Sequence, residues 1–69
     1  MTAKQIQKET KEIMKADGLS ALTASVKIGI HRNTLRAFLV ATEAVEKETI
    51  AKIERWVLDR STVKVESKV

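Results

Sequence analysis

The chain has no cysteine and no proline, and only two of its 69 residues are glycine. Without cysteine, neither a disulfide framework nor a thiolate metal site can form. The shortage of proline and glycine, with abundant alanine, lysine, glutamate and isoleucine, favours helices joined by short turns over a sheet that needs many special turn residues. We therefore expect an all-α protein.

Long apolar runs are also missing. The longest covers residues 37–41, whereas a helix that crosses a bilayer needs roughly 20 apolar residues. The first residues, MTAKQIQKETKEIMK, contain no apolar core of the kind found in signal peptides. We expect a cytoplasmic protein with no membrane partner.

The charge balance is moderately basic. Thirteen lysines and arginines against nine acidic residues give a formal net charge of +4, which mildly favours polyanionic partners. A chain of this length forms one domain and buries only about 60% of the surface that its unfolded form exposes. Its core is therefore marginal, and a second copy or a ligand would stabilise it.

Helical periodicity predicts a first helix over residues 2–16, ended by Asp17 and Gly18. It predicts a fourth helix over about 46–59, whose inward residues are Ile50, Ile53, Trp56 and Val57, with Trp56 as a core or subunit-interface residue. We place the domain at residues 1–60. In the tail, 61–69, valines alternate with polar residues. That pattern has two interpretations: a frayed, flexible terminus, or an edge strand that pairs with its copy in a second subunit.

Residues 20–40 have the spacing of a helix-turn-helix. Ser20 is a good N-cap, Ala24 and Ser25 are small where two helices would cross, and Gly29 permits a tight turn. A third helix is predicted over 32–40, with an apolar arc anchored in the domain and a polar face opposite. The fold class is therefore a small four-helix domain containing a helix-turn-helix.

The stretch LSALTASVKIGIHRNTLRAFL resembles the helix-turn-helix of the Xre or Cro-like phage repressor family. Three positions depart from that pattern. Ala21 replaces the frequent first glutamine, Ser25 replaces the usual alanine, and His31 stands where serine or threonine commonly caps the recognition helix. These changes affect individual contacts more than the fold.

Carried over onto this chain, the resemblance implies four positions that face DNA bases: Arg32, Asn33, Arg36 and Ala37. The chemistry suits them, because arginine can bond guanine and asparagine can bond adenine bidentately, while alanine can meet a thymine methyl group. Six further positions are candidates for phosphate contacts or lie at the margin of the surface: Ser20, Thr23, Lys27, His31, Thr34 and Val40. The competing interpretations are solvated arginines, a capping role for Asn33 and pairing of Lys27 with helix carbonyls.

The resemblance implies sequence-specific binding of double-stranded DNA by a homodimer on an inverted-repeat operator, as a transcriptional repressor or autoregulator of phage or mobile-element type. Such a protein would be associated with the bacterial nucleoid. The alternative is a protein-binding adaptor, similar to an antitoxin or inhibitor, on the same scaffold. We expect no catalytic residues, no metal site and no cofactor, since the sequence suggests no catalytic triad and has too few glycines for a P-loop or dinucleotide fingerprint.

Overall fold

The computed structural model describes the backbone of residues 1–66 and the side chains of residues 1–60. This part of the chain is all-α and contains four helices: α1 (Ala3–Asp17), α2 (Ala21–Ile28), α3 (Arg32–Val40) and α4 (Lys47–Glu66). A single 3₁₀ turn, Thr42–Ala44, joins α3 to α4. The predicted all-α class is confirmed.

Local signals at both ends of α1 explain its length. Thr2 is the N-cap, and its side chain and that of Gln5 form a reciprocal capping box with each other's backbone N–H groups. Gly18 adopts the left-handed conformation at φ 65°, and the N–H of Leu19 bonds to the carbonyl of Met14 at 2.8 Å. The helix therefore ends where the sequence predicts, within one residue at each end.

The core lies where α3 meets the other helices. Six apolar residues are buried and form one cluster: Ile6, Ala24, Leu35, Phe38, Ile53 and Val57. Helix α1 packs along α4, and α2 packs against α3. Each of the four helices contributes at least one side chain to the cluster. Ile53 and Val57 are buried as predicted, whereas Ile50 and Trp56 are half-buried and pack against this cluster.

The prediction for the C-terminal region is wrong in one respect. Helix α4 continues past Arg60 to Glu66, so residues 61–66 form neither a strand nor a separate tail. No proline or glycine follows Gly29 in the sequence, so nothing interrupts the helix at the predicted boundary. Alternation of only a few valines is a weak strand signal without a partner strand. Residues 67–69, including Val69 of the predicted strand, lie outside the described residues.

Candidate nucleic-acid interface

The turn between α2 and α3 is held by the backbone of one residue. The carbonyl of Ser25 accepts hydrogen bonds from the N–H groups of Gly29 at 2.8 Å and Ile30 at 3.0 Å. Gly29 has φ 91°, a backbone conformation that residues with a Cβ atom rarely adopt. This turn sets the angle at which α3 leaves α2.

Ser25 also shows how a polar residue occupies the helix crossing. Its side chain is buried, and its hydroxyl donates to the carbonyl of Leu22 at 2.7 Å. A buried hydroxyl without a partner would cost free energy. Since this bond stays within α2, Ser25 replaces alanine at the crossing without leaving an unsatisfied polar atom.

Helix α3 begins directly after His31, which is its N-cap. The imidazole Nδ1 accepts a hydrogen bond from the backbone N–H of Asn33 at 3.0 Å. A neutral ring with Nδ1 as acceptor carries its proton on Nε2, which can donate to a group outside the domain. His31 is thus a capping residue at the margin of the α3 surface, as the sequence suggests.

The outer face of α3 matches the predicted contact face in exposure. Arg32, Asn33, Arg36 and Val40 are exposed, and Ala37 is half-buried between them. On the opposite side Leu35 and Phe38 are completely buried. The apolar side fixes the rotation of the helix about its axis, so the two arginines and Asn33 project away from the core. We call Arg32, Asn33, Arg36 and Ala37 the α3 outer face.

A contact that the sequence analysis missed anchors the end of α3. The Nε2 group of Gln7, in α1, donates to the carbonyl of Phe38 at 2.9 Å and to that of Leu39 at 3.1 Å. The last carbonyls of a helix lack partners within the helix, so Gln7 satisfies two of them. A signal existed: Gln7 lies four residues after Ala3, three before Thr10 and seven before Met14, on the inward arc of α1.

The electrostatic character of the region follows from the absence of acids. Residues 18–42 contain Lys27, Arg32 and Arg36 but no aspartate or glutamate. Among the described side chains the ion pairs are those of the N-terminal amino group with Glu54 and of Arg60 with Asp17. Neither involves α2 or α3, so the positive charge of the α3 outer face is not compensated within the described part of the domain.

The positions predicted to contact phosphates do not all lie beside the α3 outer face. Ser20 and Thr23 lie at the start of α2 and bond to each other, through the Ser20 hydroxyl and both the N–H and the hydroxyl of Thr23. Thr34 is half-buried. Lys27 lies at the far end of α2 and lines a cleft shared with α4. The structure therefore groups His31 and Val40 with the α3 outer face, on the same helix, while Lys27 borders a different feature.

Two apolar side chains on α2, those of Leu22 and Val26, are exposed although apolar positions of a helix usually face the core. Leu22 is 53% exposed and Val26 is 71% exposed, although both belong to the apolar positions of that helix. They lie one turn apart on the same side of α2. Val40, at the end of α3, is 84% exposed, and the other exposed large apolar side chains among residues 1–60 are those of Met1 and Leu58.

Chain comparisons supply no family for this arrangement. No protein-family model, no curated protein and no solved structure matches the chain.

The described residues contain neither a membrane-spanning helix nor a cluster of metal ligands. Within residues 1–66, no helix combines the length and the apolar character needed to cross a membrane. The described residues also contain no group of three or more histidine, aspartate or glutamate side chains placed to hold a metal ion.

Proposed function

We propose that the chain binds double-stranded DNA in a sequence-specific manner, with α3 as the recognition helix in the major groove. The observation that carries the proposal is the α3 outer face. It exposes Arg32, Asn33 and Arg36 on a helix that is narrow enough for the groove, and no carboxylate occurs in residues 18–42 to repel phosphates.

The exposed termini of α2 and α3 support the same proposal. Their first backbone N–H groups, together with the hydroxyl groups of Ser20 and Thr23 and the Nε2 group of His31, are suited to phosphate contacts on either side of the groove. Arg32, Asn33 and Arg36 would then read base edges. Ala37 and Val40 would meet thymine methyl groups.

We further propose that the active form is a homodimer that acts as a transcriptional repressor or autoregulator of phage or mobile-element type. One recognition helix reads too few base pairs to select a single site in a genome. Two copies on half-sites about 34 Å apart would supply both specificity and affinity. Bound at a promoter, such a dimer would exclude the polymerase, and the protein would be located with the bacterial nucleoid.

Selection of bound sequences from random duplex DNA tests this function. We expect enrichment of an inverted repeat whose half-sites lie one helical turn apart, and an affinity that falls steeply between two salt concentrations because phosphate contacts release counterions. Absence of enrichment at low salt would refute DNA recognition. Enrichment of a single half-site without symmetry would refute the homodimer alone.

A second candidate function, a protein-binding adaptor similar to an antitoxin or inhibitor, is favoured by the exposed apolar side chains of Leu22, Val26 and Val40. The two candidates are separated by variants assayed on the selected DNA. If α3 reads bases, Arg36→Ala weakens binding while Leu22→Ser with Val26→Ser leaves it within about threefold, less than 1 kcal/mol. The adaptor function predicts no selected DNA at all.

A further inference from the structure

A cleft lies where the end of α2 meets the middle of α4. It has a volume of about 330 Å³, and its walls are formed by Lys27, Ile28 and Gly29 on one side and by Lys52, Arg55, Trp56 and Asp59 on the other. The α4 residues are spaced three and four apart, so they lie on one face of that helix. The cleft is thus built from two elements that are distant in sequence.

The charge in this cleft is mostly positive. Its lining carries the cations of Lys27, Lys52 and Arg55 and one carboxylate, that of Asp59. None of these four groups takes part in the ion pairs found among residues 1–60. Three cations against one carboxylate attract an anion that enters the cleft. The charge pattern therefore points to an anionic ligand.

The apolar part of the lining points to a planar group. Trp56 is half-buried, and the guanidinium of Arg60 lies over its ring, 5.8 Å from the ring centroid. Arg60 is itself paired with Asp17 at the end of α1. The indole contributes a flat apolar surface to the cleft, and Ile28, on the α2 side of the lining, adds further apolar surface.

From these observations we infer that the cleft binds a small organic anion in which a phosphate or carboxylate group is attached to a planar ring. The ring lies against Trp56 and Ile28, and the anionic group lies among Lys27, Lys52 and Arg55. The volume falls at the lower end of the range of small-molecule sites, roughly 300 to 1,000 Å³. A DNA backbone exposes no aromatic ring to Trp56, so the tryptophan in the lining favours a small ligand that carries a ring.

Because Trp56 is the one tryptophan of the chain, its fluorescence reports directly on the cleft. We would titrate the full chain, at constant ionic strength, with adenosine 5′-monophosphate for a phosphate-bearing ligand and with benzoate for a carboxylate-bearing one. Adenosine supplies a ring without the anion, and inorganic phosphate supplies an anion without the ring. We expect a saturable change with at least one of the two ring-bearing anions, at a Kd at least about tenfold below that of either partial ligand.

The double variant Lys52→Ala with Arg55→Ala should raise that Kd at least about tenfold. Lys47→Ala is the matched control, because Lys47 is an exposed lysine of α4 that does not line the cleft, and it should leave the Kd unchanged. All three substituted residues are exposed, so the variants should fold, which far-UV circular dichroism would verify.

Three results would overturn the inference: no saturable change with either ring-bearing anion, a Kd unaffected by the double variant, or equal weakening by Lys47→Ala. Equal binding of inorganic phosphate and adenosine 5′-monophosphate would overturn the role of the ring. The titrations contain no DNA, so their outcome is independent of the proposed DNA-binding function.

Discussion

The α1–α4 half and the α2–α3 half of this domain differ in their acidic residues and ion pairs. All nine acidic residues lie in 9–17 and 43–66, in or next to α1 and α4. Both ion pairs described also lie there, joining the two ends of α1 to α4. The α2–α3 half, residues 18–42, has cations without acids and carries three of the five large apolar side chains that are exposed among residues 1–60. One half is thus suited to hold itself together, and the other to meet a partner.

The largest loss of stability should come from the core residues that join the two halves. Phe38→Ala removes a completely buried ring from the core and should lower the free energy of unfolding by about 3 to 5 kcal/mol, as measured by urea denaturation. Val40→Ala, two residues later and 84% exposed, should change it by no more than about 0.5 kcal/mol. Similar losses for the two variants would contradict the division of α3 into an anchored and an outward side.

The next effect concerns function alone. Arg36→Ala should reduce affinity for the selected DNA by about 1 to 3 kcal/mol and relax the preference at one base position, with the unfolding midpoint unchanged. Lys11→Ala, an exposed lysine of α1, is the matched loss of charge in the other half. If titrations on the selected duplex show equal losses for both, net charge and not the α3 outer face governs binding.

The third largest effect should come from Gln7, whose side chain joins α1 to α3 by hydrogen bonds. Gln7→Ala leaves the carbonyls of Phe38 and Leu39 without their donor and should cost about 1 to 2 kcal/mol of stability. Gln7→Glu should cost more, because a carboxylate would face carbonyl oxygens at the negative end of α3. Thermal or urea unfolding measures both, with exposed Lys8→Ala as the control. A Glu variant as stable as the wild type would contradict the contact.

A smaller effect is expected at the start of α3. His31→Ala removes the side-chain acceptor for the N–H of Asn33 and should cost about 1 kcal/mol, whereas His31→Asn, a better cap, should restore it. Denaturation curves of the two variants, compared with the wild type, separate capping from any role of Nε2. If both variants keep full stability but only DNA affinity falls, the imidazole matters for contact and not for capping.

The smallest effect should lie in the self-contained half. The pair between Arg60 and Asp17 is only partly shielded, with side chains 40% and 35% exposed, so Asp17→Asn should cost no more than about 1 kcal/mol. That loss should shrink as salt is raised, because exposed charges are screened. A larger, salt-independent loss would mean that the pair carries more of the packing of α1 on α4 than its exposure suggests.

Much of the architecture was readable from local residue chemistry. Ser20, Gly18 and Gly29 set the ends of helices by caps and left-handed conformations that few other residues provide, so α1, α2 and α3 fall where their sequences predict. The buried and exposed sides of α3 follow from periodicity alone, as Leu35 and Arg36 show. The sequence predicts the end of α4 too early. The alternating valines after residue 60 suggest that the helix has stopped, but no proline or glycine is present there to interrupt it.

The sequence by itself determined the helices, their caps, the turn at Gly29 and the charge of residues 18–42, because these depend on residues within a few positions of each other. Only the tertiary structure decided that Gln7 satisfies the carbonyls at the end of α3, that Leu22 and Val26 stay exposed, and that Lys27 meets Lys52, Arg55 and Trp56 across a cleft. Each of those depends on the rotation and separation of whole helices. Those quantities are set by packing against the shared core and not by local sequence.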